Sequence, residues 1–367
     1  MRAIQKFAFL ASLSVLVGCS EPGPIRIGFI AGLEGRASAL GIASRNAVQM
    51  AVDEANANGG INGRQIELVI RDDKRSAKGG AEAARSLVSE KVTAIIGPIL
   101  SVVAGGVVPV INEARLVTVS PTVISSKFVG KDDFFFRLNS SGEQSAADYA
   151  RVYHEAGFSR IAAATDAHNK AFTENWMKLF TAAFSAYGGK ISSVVPFDAA
   201  KEVGLKHVVV SLLADKPEAV LILANGIDTA QLVQQFRKRD GDIQLLATSW
   251  AGSDNLITHG GRAVEGIMLA DTYDRNDQSK RYLGFREGFQ GKFKAPPNHA
   301  SVASYDAATT LFAALRTAGE GGNLKAALLN SESYKALQQE ITFDAYGDSR
   351  RTLTVVMVRD GRFARPK

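Results

Sequence analysis

The sequence predicts an α/β protein of two Rossmann-like lobes, joined by a three-segment hinge and separated by a cleft. From residue 25 onward, short apolar or β-branched runs alternate with longer helical patterns, which is typical of βαβ units around a parallel sheet. A second series of the same kind begins after Ser140. The 367 residues also exceed the roughly 250–300 residues that one hydrophobic core usually serves. We therefore expect two similar lobes.

The start of the chain predicts export. Arg2 and Lys6 precede an apolar run that is too short to span a bilayer as a mature helix, so residues 1–18 are predicted to be a signal peptide that is removed. The four residues that end at Cys19 resemble a bacterial lipoprotein box, which implies that the Cys19 thiol is acylated and that residues 19–24 form a tether. A chance cysteine behind the small residues of an ordinary signal peptide is the alternative.

The first series of elements is predicted to build the first lobe, with β-branched runs as strands and amphipathic segments as helices. Two glycine pairs and asparagines between the first helix and the second strand predict a turn, because these residues readily accept positive φ. The predicted strands are 25–31, 66–71, 94–97, 116–120 and 134–138, and the predicted helices are 43–56, 77–90 and 102–114.

The second series is predicted to build the second lobe. Its predicted strands are 160–165, 190–196, 219–224, 244–248 and 266–270, and its predicted helices are 145–156, 169–187, 205–213 and 229–239. Three helical segments follow with no obvious strand between them, at 278–294, 301–318 and 325–338, before a closing strand at 352–359. This change of pattern predicts that the chain returns to complete the first lobe and then ends in the second.

The resulting division places residues 25–139 and 274–345 in the first lobe and residues 140–273 and 346–367 in the second. The hinge crossings are predicted at 138–140, 271–273 and 345–347. Two lobes of this kind place a site at the carboxyl ends of their strands, where backbone N–H groups and helix N-termini converge.

Composition and motifs argue against nucleic-acid binding and against enzymatic chemistry. Loss of Arg2 and Lys6 with the signal peptide lowers the formal charge from +6 to +4, and the basic residues are scattered among acids, so no nucleic-acid partner is expected. Gly28, Gly32 and Gly35 lack the spacing of a dinucleotide-binding loop. The five histidines are far apart in the sequence, and no Gly-x-Ser-x-Gly elbow occurs. We expect no cofactor, no metal and no catalysis.

Short segments with a specific order and spacing run along the whole mature chain. They are Ile25 to Gly28, Asn56 to Arg64, Asp72-Asp73, Ile96-Gly97-Pro98 with Ser101, Ser120-Pro121, Phe136-Arg137, Val264-Glu265-Gly266 and Tyr305-Asp306-Ala307. Each is a common turn or strand end, but together they resemble the type I periplasmic solute-binding proteins of the leucine/isoleucine/valine-binding kind, in lipoprotein form. The resemblance implies a receptor that hands a small molecule to an inner-membrane ABC permease from an interlobe cleft.

The resemblance also implies that Ser101 binds the ligand carboxylate, together with the strand end that begins at Ser120. Hydroxyls and strand-end N–H groups near a helix start are suitable partners for a carboxylate. Ser101 as a plain N-cap is the alternative, and both roles can hold at once. The residues predicted to bind ligand are Leu40, Ser101, Ser120, Thr122, Val123, Ile124, Ser125, Asn169, Phe172, Asn225, Ser249 and Trp250.

The chain departs from the family at the amine anchor. Residues 248–252 contain no carboxylate, whereas branched-chain amino acid binders of the family offer an acid from the second lobe to the ligand's ammonium. Because an unpaired buried ammonium is costly, either Asp228 or Asp254 reaches into the cleft or the ligand has no free α-amine. Trp250 is either a stacking wall for an apolar ligand or packing for its strand end. Leu40 is either a pocket residue or part of a small satellite core.

The sequence therefore predicts a monomeric, lipid-anchored receptor in the periplasm. It is expected to capture a small carboxylate-bearing solute, with a branched-chain or other apolar amino acid as the leading class, and to deliver it to an ABC permease. A lipoprotein of the same fold that acts as a sensor or regulates an envelope partner is the alternative. Polar groups converging on an apolar cleft would favour the receptor.

Overall fold

The computed structural model of the protein describes residues 23–35 and 38–366. The predicted signal peptide, the predicted lipidation site at Cys19 and most of the tether lie outside the described residues. The helices are α1 Ala39–Ala57, α2 Ala77–Ser89, α3 Ser101–Glu113, α4 Gly142–Glu155, α5 Lys170–Ala186, α6 Glu202–Leu213, α7 Gly226–Arg239, α8 Asp254–Gly260, α9 Lys280–Phe293, α10 His299–Ala318 and α11 Leu324–Leu329. The strands are β1 Ile25–Ala31, β2 Ile66–Asp72, β3 Ala94–Ile96, β4 Thr118–Ser120, β5 Phe135–Arg137, β6 Arg160–Asp166, β7 Lys190–Phe197, β8 Ala219–Leu223, β9 Gln244–Thr248, β10 Met268–Asp271, β11 Tyr334–Lys335, β12 Glu340–Ile341, β13 Thr354–Arg359 and β14 Arg362–Ala364.

The first sheet has the strand order β2-β1-β3-β4-β5, and its pairings are parallel. Side chains of β1 alternate between its two faces, as the period of a strand requires. Ile27 and Phe29 pack against α1 and α10, whereas Ile30 packs against α2 and α3. Both faces are therefore covered, which explains why β1 is an almost continuous apolar run.

The second sheet has the order β14-β13-β10-β9-β8-β6-β7. Its strands from β6 to β10 pair in parallel, and β13 joins them antiparallel to β10. Ala162 and Ala164 face a core built with α6 and α7, whereas Ile161 and Ala163 face a core built with α4 and α5. The predicted parallel α/β architecture with a second series of βαβ units is confirmed.

Two buried ion pairs bind the last crossing segment to the first sheet and its helices. Arg137 at the end of β5 donates from Nε to Oδ1 of Asp348 at 2.8 Å, and its side chain is fully buried. Arg351 donates from Nη2 to Oδ2 of Asp306 in α10 at 2.8 Å and from Nε to the carbonyl of Leu138 at 2.9 Å. Residues 348–351 therefore contact the first lobe through charged side chains, before β13 enters the second sheet.

One sequence-based expectation for the later chain is wrong, and one helix was not predicted. The helix predicted over 325–338 ends at Leu329, because the following residues form the short antiparallel pair of β11 and β12, in which Tyr334 and Ile341 are buried. The pattern also missed α8, a seven-residue helix with mostly polar or small residues. Among the described residues, none of the helices combines the length and the apolarity that a membrane crossing needs.

Candidate functional site

A cavity lies where the carboxyl ends of the strands of the two sheets face each other. From the first lobe it is lined by residues that follow β3 and β4, and from the second by residues that follow β6 and β9. About 740 Å³ is free of protein atoms there, including the part that is open to solvent. Small-molecule sites often lie in such clefts between two lobes.

Most residues predicted to bind ligand lie at this cavity. Those that line it are Leu40, Ser101, Thr122, Ile124, Asn169, Phe172, Ser249 and Trp250. The sequence brings them from five separate segments, and the folded sheets place them around one space. This is the arrangement expected at the ends of strands in open α/β sheets.

Ser101 is the first residue of α3, and Leu100 occupies the cap position without a capping side chain. The turn before α3 depends on Gly97, whose φ is 115° and where a Cβ would lie 2.3 Å from the carbonyl oxygen of Ile30. Ser101 is 7% exposed, and its hydroxyl has no hydrogen-bond partner among the described residues. It is therefore not an N-cap, and both the hydroxyl and the positive end of the helix are available to an anion.

The backbone at the start of α3 offers further donors. The N–H groups of Val103 and Ala104 bond to the carbonyl of Leu100, whereas those of Ser101 and Val102 have no partner within the described part of the chain. Thr122 donates its hydroxyl proton to the carbonyl of Ile99 at 2.7 Å, which fixes its side chain beside the helix start. This end of the cavity therefore presents donors, which a carboxylate would accept.

Three residues of the predicted strand-end segment lie outside the cavity lining. Ser120 is fully buried, and its hydroxyl donates to the carbonyl of Pro98 at 2.8 Å while accepting from the N–H of Val123 at 3.2 Å. Val123 is part of the core between the first sheet and α3. Ser125 caps a short 3₁₀ turn, and its carbonyl accepts from Arg137. These residues shape the strand end behind the lining.

Asn225 lies at a smaller pocket that adjoins the cavity and that Arg75 and Trp250 also line. Its amide oxygen caps α7 by accepting from the N–H groups of Ile227 and Asp228, each at 3.1 Å, and its amide nitrogen donates to Asp228 at 2.7 Å. The side-chain amide of Asn225 is thus already used in helix capping.

Aromatic rings form the apolar wall of the cavity. Trp250 and Phe172 meet edge to face with ring centroids 5.5 Å apart, and Phe172 also contacts Trp176. Tyr149 packs edge to face on Trp176 at 5.3 Å, while its hydroxyl donates to the carbonyl of Ala270. Trp176 and Tyr149 were missed because they lie inside helical patterns that are typical of core residues.

Trp250 and Leu40 each combine the two roles that the sequence left open. Trp250 is 9% exposed, comes from the segment after β9 and packs into the core of the first lobe while lining the cavity. Leu40 belongs to the same core and lines the same cavity. Contact between Trp250 and the first-lobe core joins the lobes across the cleft. Its indole N–H has no hydrogen-bond partner among the described residues, so it can donate to a ligand.

Three polar atoms of cavity residues are buried without a partner in the described part of the chain. They are Oδ1 of Asn169, Oγ1 of Thr248 and Nδ1 of His299. Burial, and secondarily the positive charge of Arg275, lowers the pKa of His299 to about 3, so its imidazole is neutral near pH 7. Buried polar atoms normally have partners, so these atoms are available for a ligand or for water.

The charged side chains at the cavity are Arg351, next to the third crossing, and Asp148 on α4. Neither Asp228 nor Asp254 lines it, and Asp254 instead borders a separate surface pocket together with Arg275. Asp148 was missed because it lies in the middle of an amphipathic helix, where an acid is usually a solvated surface residue. Within residues 23–35 and 38–366, no three His, Cys, Asp or Glu side chains are grouped so that they could hold a metal ion.

Comparison with known proteins identifies sequence relatives along the chain. A match of 40% identity to the Leu/Ile/Val-binding protein BraC3 of Rhizobium johnstonii spans 98 residues, which is 27% of each chain. Leu/Ile/Val-binding protein homolog 2 of Brucella abortus is 26% identical over 351 residues. This match covers 91% of this chain and 90% of that protein.

Solved structures show the same fold. The leucine-binding protein LivK of Thermotoga maritima matches with a TM-score of 0.84 and 24% identity, over 93% of this chain and 97% of its own. A solute-binding protein of an ABC transporter from R. palustris, solved with benzoate, matches with a TM-score of 0.83 and 20% identity, over 93% and 95%. The family of periplasmic binding proteins matches residues 24–362. The protein therefore belongs to the periplasmic binding protein family, whose members are solute-binding proteins and not enzymes.

Proposed function

We propose that this protein is the substrate-binding component of an ABC importer. It captures a small carboxylate-bearing solute, with a branched-chain or other apolar amino acid as the leading class, and delivers it to an inner-membrane permease. The observation that carries the proposal is the cavity, in which the unpartnered hydroxyl and N–H groups at the start of α3 face a wall of aromatic rings. Convergent polar groups in a mainly apolar pocket are the mark of a small-molecule site.

The comparisons support a carboxylate as the common feature of the ligand. Relatives are named for leucine, isoleucine and valine, whereas one structural neighbour holds benzoate, which has a carboxylate but no amine. The donors at the start of α3 suit both classes, because they interact with the carboxylate. Phe172 and Trp250 offer apolar surface to either an aliphatic or an aromatic ligand body.

A thermal-shift screen of residues 20–367 tests the proposal. Amino acids, aromatic acids, short-chain acids and amides are added separately to the unlipidated protein. A ligand at 100 times its Kd stabilises the folded state by about 2.7 kcal/mol, which is a rise of several degrees in the melting temperature. Stabilisation by carboxylate-bearing compounds alone is expected. No stabilisation by any class would favour the alternative, a sensor or a regulator of an envelope partner.

The proposal also includes a lipid anchor at Cys19 and a monomeric protein in the periplasm. Several acyl chains hold a soluble body at a membrane at about 0.8 kcal/mol per buried CH₂. Metabolic labelling with an alkyne-bearing fatty acid is expected to label the full-length protein and not the Cys19→Ser variant. Light scattering of residues 20–367 is expected to give the mass of one chain.

A further inference from the structure

A smaller pocket adjoins the cavity, also at the carboxyl ends of strands. In the first lobe, Gly32 follows β1 and Leu100 follows β3. In the second lobe, Asn225 follows β8 and Trp250 follows β9. The residues that line both the cavity and this pocket are Leu40, Ile99, Leu100 and Trp250. Because Leu100 directly precedes Ser101, the pocket lies beside the donors at the start of α3.

Arg75 is the charged residue among the described residues that line this pocket. Within the described part of the chain, its side chain donates no hydrogen bond and forms no ion pair, and its Nε is buried without a partner. Asp73 acts on Arg75 through space, but its carboxylate lies outside the lining of the pocket. A guanidinium has five N–H donors, and buried donors normally have partners. The pocket therefore contains donors that the protein leaves free.

The turn before α2 fixes where the Arg75 side chain lies. Lys74 and Arg75 have φ angles of 50° and 53°, in the left-handed region that residues other than glycine rarely adopt. Oδ1 of Asp72 accepts the N–H of Lys74 at 2.9 Å, and Oδ1 of Asp73 accepts the N–H of Arg75 at 2.7 Å. The Arg75 side chain packs on Gly32, where a Cβ would lie 2.4 Å from Cγ of Arg75. The absence of a side chain at residue 32 therefore lets Arg75 reach the pocket.

We propose that this pocket binds an anionic group through Arg75, beside the carboxylate that the start of α3 binds. The anionic group is either a second acid of the same ligand or a small anion that binds separately. A guanidinium donates two parallel N–H groups to two oxygens of one anion. An anion would also give the buried Nε a partner, whereas an apolar ligand group would leave it unpaired. This inference rests on the proposed function, because the pocket adjoins the same cavity.

The first arm of the test compares acids with and without a second carboxylate. Titration calorimetry measures the Kd of L-glutamate against L-glutamine, of glutarate against pentanoate, and of isophthalate against benzoate. The members of each pair differ in one carboxylate. Tighter binding of the member with the extra carboxylate identifies a second acid of the ligand as the occupant of the pocket.

The second arm tests for a separate anion. L-leucine and benzoate, which have one carboxylate each, are titrated in sodium sulfate and in sodium chloride at equal ionic strength. Tighter binding in sulfate that depends on Arg75 identifies a separate anion as the occupant of the pocket.

Both arms use wild type and three variants. Arg75→Met removes the guanidinium and keeps a long side chain, and Arg75→Lys keeps the positive charge but loses the planar pair of donors. Arg85→Met is the matched control for the loss of one positive charge. Arg85 is exposed on α2 of the same lobe and lines neither the cavity nor the pocket. Melting curves without ligand check that each variant is folded.

In wild type, we expect a ratio of Kd values of about 10 or more in at least one comparison, which corresponds to a hydrogen bond to a charged group. Arg75→Met is expected to reduce that ratio to less than about threefold, because the donors are lost. Arg75→Lys is expected to give an intermediate ratio, and Arg85→Met should keep the wild-type ratio.

Two results would overturn the inference alone. One is binding of carboxylates by wild type with neither a preference for a second carboxylate nor an effect of sulfate. The other is an unchanged ratio in folded Arg75→Met, or in Arg75→Lys if Arg75→Met does not fold. Failure of wild type to bind any of these compounds would instead overturn the proposed function, and this inference with it.

Discussion

Ser101 and Ser120 provide a paired test of which hydroxyl binds the ligand. Ser101→Ala removes a hydroxyl that has no protein partner in the described residues and that lines the cavity. A hydrogen bond to a charged group contributes about 1.5–3 kcal/mol. Since about 1.4 kcal/mol is a factor of ten, the Kd for a carboxylate ligand is expected to rise about 10- to 150-fold. The free energy of unfolding without ligand should stay within about 0.5 kcal/mol of wild type, because no protein contact is lost.

Ser120→Ala is the matched control and is expected to behave in the opposite way. Its hydroxyl donates to Pro98 and accepts from the N–H of Val123, so the substitution leaves a buried N–H without a partner. This costs about 1–3 kcal/mol of folding free energy, whereas the Kd should change less than about threefold. Titration calorimetry measures the Kd for the ligand, and urea denaturation measures the free energy of unfolding. An unchanged Kd in Ser101→Ala, or an equal loss of affinity in both variants, would refute the assignment of Ser101 to the ligand.

Three further predictions concern the aromatic wall, a buried histidine and a buried ion pair. Ligand binding should change the tryptophan emission in a saturable way, and Trp250→Phe should abolish most of that change; an unaltered response would show that Trp250 does not sense the ligand. Burial lowers the pKa of the His299 imidazole to about 3 in the folded state. As the pH falls below about 6.5, the unfolded chain therefore binds a proton at His299 that the folded protein does not bind, so the free energy of unfolding decreases. Between pH 7 and pH 5, His299→Gln should therefore lose about 2 kcal/mol less stability than wild type, whereas the exposed His207→Gln should lose as much as wild type; equal losses in all three would contradict the buried state of His299. Arg137→Met should lower the free energy of unfolding by about 3–5 kcal/mol, because it leaves Asp348 charged and buried without its partner. The double variant Arg137→Met/Asp348→Leu should recover much of that free energy. No recovery would show that the loss of stability comes from the lost contacts of Arg137 and not from the unpaired charge.

Central strands such as β1, β8 and β9 were predictable because they are apolar runs buried on both faces. The limits of β1 and β9 agree with the sequence expectation at both ends, and the turn-forming residues Pro24 and Gly32 flank β1. The helix after α10 was overextended because Lys325 to Gln338 has helical spacing of apolar residues, although Tyr334 is instead buried in a two-residue strand. The spacing of apolar residues along the sequence does not determine which tertiary contacts a residue makes.

The site could be predicted only in part. Ser101, Asn169 and Trp250 follow strands, so their position at the cleft follows from the order of elements. Asp148 lies within a helix and lines the cavity because α4 packs against the second sheet beside it. Ser120 lies at a strand end but points to a carbonyl behind the lining, a difference that spacing along the chain does not encode.

The most direct test of the account is a crystal structure of residues 20–367 with the best ligand from the thermal-shift screen. One ligand molecule is expected between the two sheets. Its carboxylate should lie about 2.6–3.2 Å from Oγ of Ser101 and from the free N–H groups at the start of α3, with its apolar part against Phe172 and Trp250. A ligand bound elsewhere, or a carboxylate that points away from Ser101, would contradict the account.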